Sequence, residues 1–441
     1  MVDPSSSPAP EKKKLSLTGR ILIAMALGAI LGVAINLIGN EGWIRAWLTD
    51  GILEVVGRIF VAALKLLVVP LVFVSLVCGT AALDDIARLG RVGGKTLLLY
   101  LGTTAVAITL ALTAAVLVKP GVGFQLDTDV TFEGKEAPSL TETIVDIFPT
   151  NPVEAMAEGN MLQIIVFAIL FGIAMTLSGD PGQRVLGIFR DLNAIIMKLV
   201  MILIELAPYG VFALIARTFG QEGFSAIAPL AKYFFLVLSV LILHAFLTYP
   251  LLLKGLGRLR PSRFIGKIRK AQIFAFSTAS SNATIPVTME VCEEELGVDK
   301  SVASFTVPLG ATINMDGTAI MQGVATVFIA QAYTMGLGIT DYLMVILTAT
   351  LASIGTAGVP GVGLIMLSMV LTQVGLPVEG IGLVLGVDRL LDMVRTAVNI
   401  TGDASISCIV ANSEGKLDHE RFNRRGHGSP DAEPEPVGSE A

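Results

Sequence analysis

One hydrophobic segment near the end of the chain carries a row of polar side chains. Residues 380–412 are long enough to cross a bilayer, yet polar residues recur in them at steps of three and four. The row comprises Asp388, Asp392, Arg395, Thr396, Asn399 and Asp403. On a helix this spacing puts the row on one face, where each charge would cost about 2.5–3.5 kcal/mol at the bilayer centre. We therefore interpret this face as the wall of a polar-substrate site inside a membrane protein.

A second polar group lies inside an apolar run, in the sequence GATINMDGT at residues 310–318. Asn314 and Asp316 supply hard oxygens, and Gly317 is expected to interrupt the helix and to free backbone carbonyls. Small hard cations prefer such oxygen ligands, so we predict an ion site. The alternative is an Asn/Asp hydrogen-bond cluster that holds helices together.

Two polar or glycine-rich turns and one arginine complete the candidate chemistry. The sequence SSNAT at residues 280–284 offers hydroxyls and backbone N–H groups near a helix N-terminus, which suits a carboxylate. The sequence GTAGVPGVG at 355–363 is interpreted as a moving gate rather than a passive turn. Arg395 is a preferred bidentate partner of a carboxylate, and its alternative role is an internal ion pair with Asp392 or Asp388.

Composition indicates a polytopic membrane protein. The 441 residues are 53% hydrophobic and 15% charged, whereas soluble domains are about 25% charged. Runs long enough to span a bilayer lie at about 17–37, 51–82, 95–117, 152–177, 185–219 and 226–256. Clusters of lysine and arginine precede the first run, separate the second from the third and follow the sixth, which predicts a cytoplasmic N-terminus.

The C-terminal half has a different pattern. Residues 271–289 and 347–374 are apolar arms around a polar or Gly/Pro-rich centre, which favours re-entrant hairpins over crossings. A helix follows each hairpin, and such a pair of interrupted segments indicates inverted repeats with a site at the midplane. The predicted fold is therefore an all-α polytopic membrane protein with eight transmembrane helices, two re-entrant helical hairpins and both chain ends in the cytoplasm.

The predicted organisation has four parts. They are a disordered basic N-terminus at 1–15, helices 1–6 at 16–256, a core at 257–412 and a disordered tail at 413–441. The core divides into hairpin 1 at about 262–296, helix 7 at 299–332, hairpin 2 at 339–376 and helix 8 at 378–412.

No residue pattern suggests an enzyme. The three cysteines have no CxxC spacing, and no Ser/His/Asp or Cys/His set is evident. His244, in the sixth span, is interpreted as a structural residue. We predict a protein without catalytic residues, cofactor or nucleic-acid partner.

Four stretches, in this order, resemble the signature motifs of the dicarboxylate/amino acid:cation symporters. They are SSNATIPVTM, GATINMDGTA, ASIGTAGVPGVG and DRLLDMVRTAVNITGD, and the resemblance covers about residues 15–412. It implies the elevator fold of the glutamate transporters, as a homotrimer in the cell membrane. In that fold a scaffold holds a mobile transport domain made of both hairpins, helices 7 and 8, and helices 3 and 6.

The resemblance also implies a substrate site. Its residues would be Ala279, Ser281, Thr318, Val359, Gly363, Asp392, Arg395, Thr396 and Asn399. Ser281 and Asn399 would bind the α-carboxylate, with Asp392 and Thr396 on the α-amino group. Arg395, Thr318 and the Gly363 backbone would hold the side-chain carboxylate.

Three sodium sites are implied in the same way. The first comprises Asp403 with the carbonyls of Gly310, Asn314 and Asn399. The second comprises the Tyr100 carbonyl with Thr103, Thr104, Asn314 and Asp316. The third comprises the carbonyls of Thr312, Ser353, Ile354 and Thr356.

The sequence departs from the family at two places. Family members usually have an arginine at one of two positions, which are occupied by Ala279 and Met393 here. Gln322 stands where the animal carriers have a proton-carrying glutamate. The function we expect is symport of L-aspartate and/or L-glutamate with Na⁺. The alternatives are proton-coupled glutamate symport, C4-dicarboxylate symport and an ion channel with an oxygen ring.

Overall fold

The computed structural model describes residues 17–39, 41–81, 90–123, 145, 148–354, 356 and 358–424. Every named element in these residues is helical, so the all-α prediction is confirmed for them. Residues 1–15, most of the acidic 121–149 loop and residues 425–441 lie outside the described part. The number of membrane crossings and the inverted repeat stay predictions.

Nine helices occupy the described part of the first 256 residues. They are α1 (Leu17–Ile38), α2 (Glu54–Ala81), α3 (Arg91–Val118), α4 (Pro152–Glu158), α5 (Met161–Leu177), α6 (Asp180–Ile204), α7 (Ala207–Glu222), α8 (Ile227–Leu243) and α9 (Tyr249–Gly255). A π-helical stretch, Ile44–Leu53, leads into α2, and a π turn, His244–Thr248, joins α8 to α9.

The single span predicted at 185–219 is wrong. The chain forms α6 up to Ile204 and starts a new helix, α7, at Ala207. Pro208 stands at the start of α7, and a proline cannot donate the backbone hydrogen bond that would continue the preceding helix.

Eight α-helices follow in the described residues after 256. They are α10 (Pro261–Thr278), α11 (Ser281–Glu290), α12 (Lys300–Ile313), α13 (Asp316–Ala332), α14 (Ile339–Ser353), α15 (Val362–Gln373), α16 (Ile381–Ser413) and α17 (His419–Asn423). Two adjacent pairs, α10 with α11 and α14 with α15, pack against each other across short connections. These pairs occupy the two stretches interpreted as hairpins.

Four continuous helical stretches of the described residues are long and apolar enough to cross a membrane. They are Gly19–Ile38, Ile44–Ala81, Arg91–Val118 and Ala207–Gly255. Large apolar side chains on them stay exposed, among them Ile30 at 67%, Leu66 at 65% and Leu98 at 74%. Water would disfavour so much exposed apolar surface, so these helices indicate a membrane protein.

Helix α16 lies at the centre of the C-terminal half. It packs against α8, α10, α12 and α13, while α13 packs in turn along α3. Elsewhere α1 packs on α7, and α2 packs on α5, α6 and α7. The polar face of α16 is thus enclosed by protein, which is the condition that its charges require.

The tail predicted to be disordered from residue 413 is ordered as far as Arg424. Phe422 of α17 is buried, and the backbone of Asp418 donates a hydrogen bond to the Gly297 carbonyl. The Lys267 ammonium donates to the carbonyls of Glu295 and Arg421, each at 2.6 Å. Packing against α10 and the π turn Val291–Glu295 that follows α11 therefore orders a polar segment whose composition alone predicted disorder.

Candidate functional site

The polar face of α16 is buried along its whole length. Asp388, Asp392, Arg395, Thr396, Asn399 and Asp403 are each at most 9% exposed. Arg395, at 1%, is among the largest fully buried side chains of the described residues. Buried charges must be paired or hydrogen-bonded, so the partners of this face determine what it can bind.

Arg395 is held by two carboxylates of its own helix. Its Nη1 atom lies 2.6 Å from Asp388 Oδ1, and its Nη2 atom lies 2.8 Å from Asp392 Oδ1. Arg389 lies 3.3 Å from the other oxygen of Asp392. Internal ion pairing, the alternative role considered for Arg395, is thus present in this conformation. It also supplies the partner of Asp388 that spacing alone could not identify.

Thr318 and Gly363 lie beside the same guanidinium. A Cβ atom added to Gly363 would stand 3.3 Å from Arg395 Nη2 and 3.4 Å from Thr318 Cγ2. The three residues named for the side-chain carboxylate therefore meet at one point, although they come from α16, α13 and α15. Because Gly363 has no side chain, its backbone is exposed to this point next to the guanidinium.

The tips of the two hairpins contact each other. The Gly358 carbonyl accepts hydrogen bonds from Ser280 Oγ at 2.7 Å and from the Asn282 backbone at 3.1 Å. Ser280 also caps α11, so Ser281 is the first residue of that helix and lies at its N-terminus. The preceding residue, Ala279, takes a left-handed conformation with φ of 49°. This geometry turns the chain sharply and presents backbone N–H groups at the tip.

The helix break in NMDGT is not at Gly317. Helix α12 ends at Ile313 and α13 begins at Asp316, so Asn314 and Met315 are the non-helical residues. Gly317 lies within α13, and a Cβ atom there would come within 2.6 Å of the Arg395 carbonyl. The glycine is thus required for close packing of α13 on α16. The expected freeing of carbonyls occurs at the two residues before Asp316.

Asp403 is the centre of a first oxygen cluster. Asn314 Nδ2 donates to Asp403 Oδ1 at 2.9 Å and approaches the Asn399 carbonyl at 3.4 Å. A Cβ atom on Gly310 would stand 2.3 Å from Asp403 Oδ1, so the backbone of α12 touches this carboxylate. The second oxygen, Asp403 Oδ2, is buried and has no hydrogen-bond partner among the described residues. A buried carboxylate with a spare oxygen beside carbonyls fits a hard cation.

Asp316 is the centre of a second oxygen cluster. Thr104 Oγ1 donates to Asp316 Oδ1 at 2.7 Å, and Thr103 Oγ1 lies 3.2 Å from Asn314 Oδ1. Both hydroxyl oxygens also lie 3.0 Å from the Tyr100 carbonyl oxygen. All five residues predicted for the second cation site are therefore adjacent. Helix α3 provides three of them because it packs along α13.

The sequence profile of the sodium:dicarboxylate symporter family matches residues 17–413. This chain belongs to that family. It is 37% identical to the proton/glutamate-aspartate symporter of Escherichia coli (strain K12), covering 92% of this chain and 95% of the relative. It is 34% identical to the proton/sodium-glutamate symport protein of Geobacillus stearothermophilus, covering 93% and 97%. It is 33% identical to excitatory amino acid transporter 3 of Oryctolagus cuniculus, covering 89% and 85%. The chain is a transporter, not an enzyme.

In the third predicted cation set of this symporter, the Thr356 backbone N–H donates to the Ser353 carbonyl at 3.3 Å, whereas no hydrogen bond among the described residues joins Thr312 to the other members. Ser353 and Thr356 hydroxyls donate to carbonyls of their own segment, Thr350 and Ala352. Thr312 Oγ1 donates to the Leu309 carbonyl at 2.9 Å. Thr312 does line a cavity of about 550 Å³ together with Asn282 and Val359 of the hairpin tips. The roles of this set stay predictions.

That cavity separates the hairpin tips from two helices of the first half. Ser75 and Cys78 of α2 and Asn193 and Lys198 of α6 form its other wall. Of the residues predicted for substrate, only Val359 lines it, while Ser281, at the first tip, is buried.

Two partners of the second cluster were not predicted from the sequence. His244, interpreted as structural, contacts Asp316, as does Tyr249. A lone histidine in an apolar run gives no spacing signal, and its partner lies 72 residues away.

Proposed function

We propose that this chain is a secondary-active symporter that carries L-aspartate and/or L-glutamate together with Na⁺ across the cell membrane. The observation that carries the proposal is the buried group of Arg395, Asp388 and Asp392, with Thr318 and Gly363 against the guanidinium. Relatives named for glutamate and aspartate transport support the substrate class.

The charges of this group favour an amino acid over a C4-dicarboxylate. An acidic amino acid brings a side-chain carboxylate for Arg395 and an ammonium group for Asp392. It can therefore replace the pair between Arg395 and Asp392, 2.8 Å apart, without leaving a buried charge unpaired. A dicarboxylate brings only anions, and Asp392 would then face like charge. A relative in Mesorhizobium japonicum is named C4-dicarboxylate transport protein 2, so a C4-dicarboxylate is the alternative substrate.

The two oxygen clusters support Na⁺ as the coupling ion. Each combines a buried carboxylate with amide, hydroxyl or carbonyl oxygens, which is the ligand type of hard cations. Gln322 carries an amide, which does not titrate, at the position where the animal carriers bind a proton. Proton coupling remains the alternative, because the relatives include a proton/glutamate-aspartate symporter and a proton/sodium-glutamate symport protein.

The proposal includes the family's architecture. Helices α10–α16 with α3, α8 and α9 would form the transport domain, and α1, α2 and α5–α7 would form the scaffold. The packing of α16 against α8, α10, α12 and α13 supports this division. A homotrimer in the cell membrane, eight crossings, cytoplasmic chain ends and an elevator movement belong to the same proposal.

Uptake into proteoliposomes tests the function. We expect labelled L-aspartate to accumulate when Na⁺ is higher outside than inside, and to equilibrate only when choline replaces Na⁺. Liposomes without protein are the control. Accumulation driven by a pH gradient and indifferent to Na⁺ would replace the proposed ion by a proton. Steady current in the absence of substrate, at rates above those of a carrier, would favour the channel.

Competition tests the substrate class in the same liposomes. Unlabelled L-glutamate or L-aspartate should compete with the label, whereas succinate should be at least about 100-fold weaker. The reason is that an unpaired buried carboxylate costs about 3–5 kcal/mol. Succinate that competes as well as aspartate would contradict a role of Asp392 in binding an amino group.

A further inference from the structure

His244 and Tyr249 meet on a single oxygen of Asp316. His244 Nε2 lies 3.1 Å from Asp316 Oδ2, and Tyr249 Oη donates to the same oxygen at 2.8 Å. The two rings touch edge to face, with centroids 4.7 Å apart. All three side chains are fully buried, at 0% exposure. Neither aromatic residue belongs to any site predicted for this chain.

A local irregularity brings the two rings together. In a regular α-helix, residues five apart point about 140° away from each other, since each residue advances about 100°. Here His244–Thr248 form a π turn, in which the Tyr249 backbone N–H donates to the His244 carbonyl. This i→i+5 bond places residues 244 and 249 one above the other. The sequence supplies a cause in Pro250, which lacks an N–H and clashes with the carbonyl four residues earlier.

The other oxygen of Asp316 faces the second oxygen cluster. Asp316 Oδ1 accepts from Thr104 Oγ1 at 2.7 Å, beside the Tyr100 carbonyl and Asn314 Oδ1. The carboxylate is therefore held from two sides, by α3 through Oδ1 and by the π turn through Oδ2. Such fixation sets which oxygen points at the candidate cation ligands.

His244 acts on this carboxylate as a hydrogen-bond donor. Its Nδ1 atom is buried without a hydrogen-bond partner among the described residues, so the hydrogen that the ring donates is assigned to Nε2. A donor at Oδ2 fixes the orientation of the Asp316 carboxylate. Tyr249 does the same through its hydroxyl.

We propose that His244 and Tyr249 are positioning residues for cation coupling, which orient Asp316 so that Oδ1 completes the second cation site. This inference rests on the proposed cation coupling, in which neither residue touches the ion or the amino acid. The π turn is then part of the coupling machinery, because it alone brings both donors to one oxygen.

Sodium-titrated binding of labelled L-aspartate to the purified protein tests the proposal. His244→Leu and Tyr249→Phe should each raise the Na⁺ concentration for half-maximal binding about tenfold, as expected for one lost hydrogen bond to a charged group. His244→Gln, which keeps an N–H donor, should recover most of that loss. At saturating Na⁺ the affinity for L-aspartate should stay within about twofold of wild type, because no substrate contact changes. Phe246→Leu, at an exposed position of the same π turn, is the matched control.

Two results would overturn the proposal. One is wild-type Na⁺ dependence in folded Tyr249→Phe. This variant removes a single oxygen, so it remains a valid test even if His244→Leu does not fold. The other is an equal loss of L-aspartate affinity at saturating Na⁺, which would show general disruption of the site. Failure of the proposed function is seen separately, as wild-type binding that ignores Na⁺, and it would remove the inference as well.

Discussion

Replacing Arg395 by cysteine should abolish uptake of L-aspartate, with a loss of at least about 100-fold in rate at fixed substrate concentration. Within the described residues, Arg395 is the only cationic side chain that contacts Asp388. It is one of two that contact Asp392, the other being Arg389. Leaving such a carboxylate buried and unpaired costs about 3–5 kcal/mol, in addition to the lost contact with the substrate. Uptake of labelled L-aspartate by proteoliposomes, normalised to the amount of inserted protein, measures the effect.

The ion pair with Asp388 requires a second variant as a control. Arg395→Cys alone should also lower the thermal stability of the protein, because Asp388 then lacks its cation. The double variant Arg395→Cys/Asp388→Asn removes that unpaired charge and should recover much of the lost stability while remaining inactive. Uptake at the wild-type rate in either variant would exclude Arg395 from the substrate site.

The polar row of α16 was predictable because a single helix carries it. Steps of three and four residues place Asp388, Asp392, Arg395, Asn399 and Asp403 on one face whatever packs against it. The structure shows that face buried, as the cost of charge in a membrane requires. That Arg395 pairs with both Asp388 and Asp392 could not be predicted, because spacing shows only that each is within reach of its long side chain.

Contacts between distant segments were predicted only weakly, or not at all, by the sequence. The four motifs allowed Thr103 and Thr104 to be grouped with Asp316 through a family resemblance, and the structure brings these side chains together. Nothing comparable marked His244 or Tyr249, because their contact with Asp316 depends on a π turn that no apolar periodicity reveals. The position predicted for the helix break in NMDGT was wrong for a similar reason. Gly317 was interpreted as a breaker, whereas close packing of α13 on α16 explains it.

The same limit applies to the tail and to the fifth span. Composition predicted disorder after residue 413, but Phe422 is buried and the Asp418 backbone donates to the Gly297 carbonyl. The apolar run at 185–219 predicted one helix, since hydropathy averages over a break of two residues. A specific packing contact decides the structure of the tail, and a proline decides that of the fifth span. Neither changes the average hydropathy or composition of its segment, which is what the sequence pattern measures.

Asp403→Asn should weaken the dependence of L-aspartate binding on Na⁺ and spare the recognition of the amino acid. The asparagine keeps an oxygen for Asn314 Nδ2, which now lies 2.9 Å from Asp403 Oδ1, so the packing of α12 on α16 should survive. It removes the negative charge beside the unpartnered Oδ2 atom. Since removing one partner of a buried charge pair costs about 3–5 kcal/mol, the Na⁺ concentration for half-maximal binding should rise at least about 100-fold.

Two further variants separate the charge of Asp403 from its packing. Ser405→Ala, two residues along α16, removes a hydroxyl that donates to the Thr401 carbonyl at 2.7 Å, and it should leave the Na⁺ titration unchanged. Gly310→Ala keeps the charge but puts a methyl group 2.3 Å from Asp403 Oδ1, so it should disturb the Na⁺ titration through geometry alone. The preference for L- over D-aspartate, measured at saturating Na⁺, should be retained in Asp403→Asn. An Asp403→Asn protein with wild-type Na⁺ dependence would exclude this carboxylate as a cation ligand, and lost stereoselectivity would place it at the substrate instead.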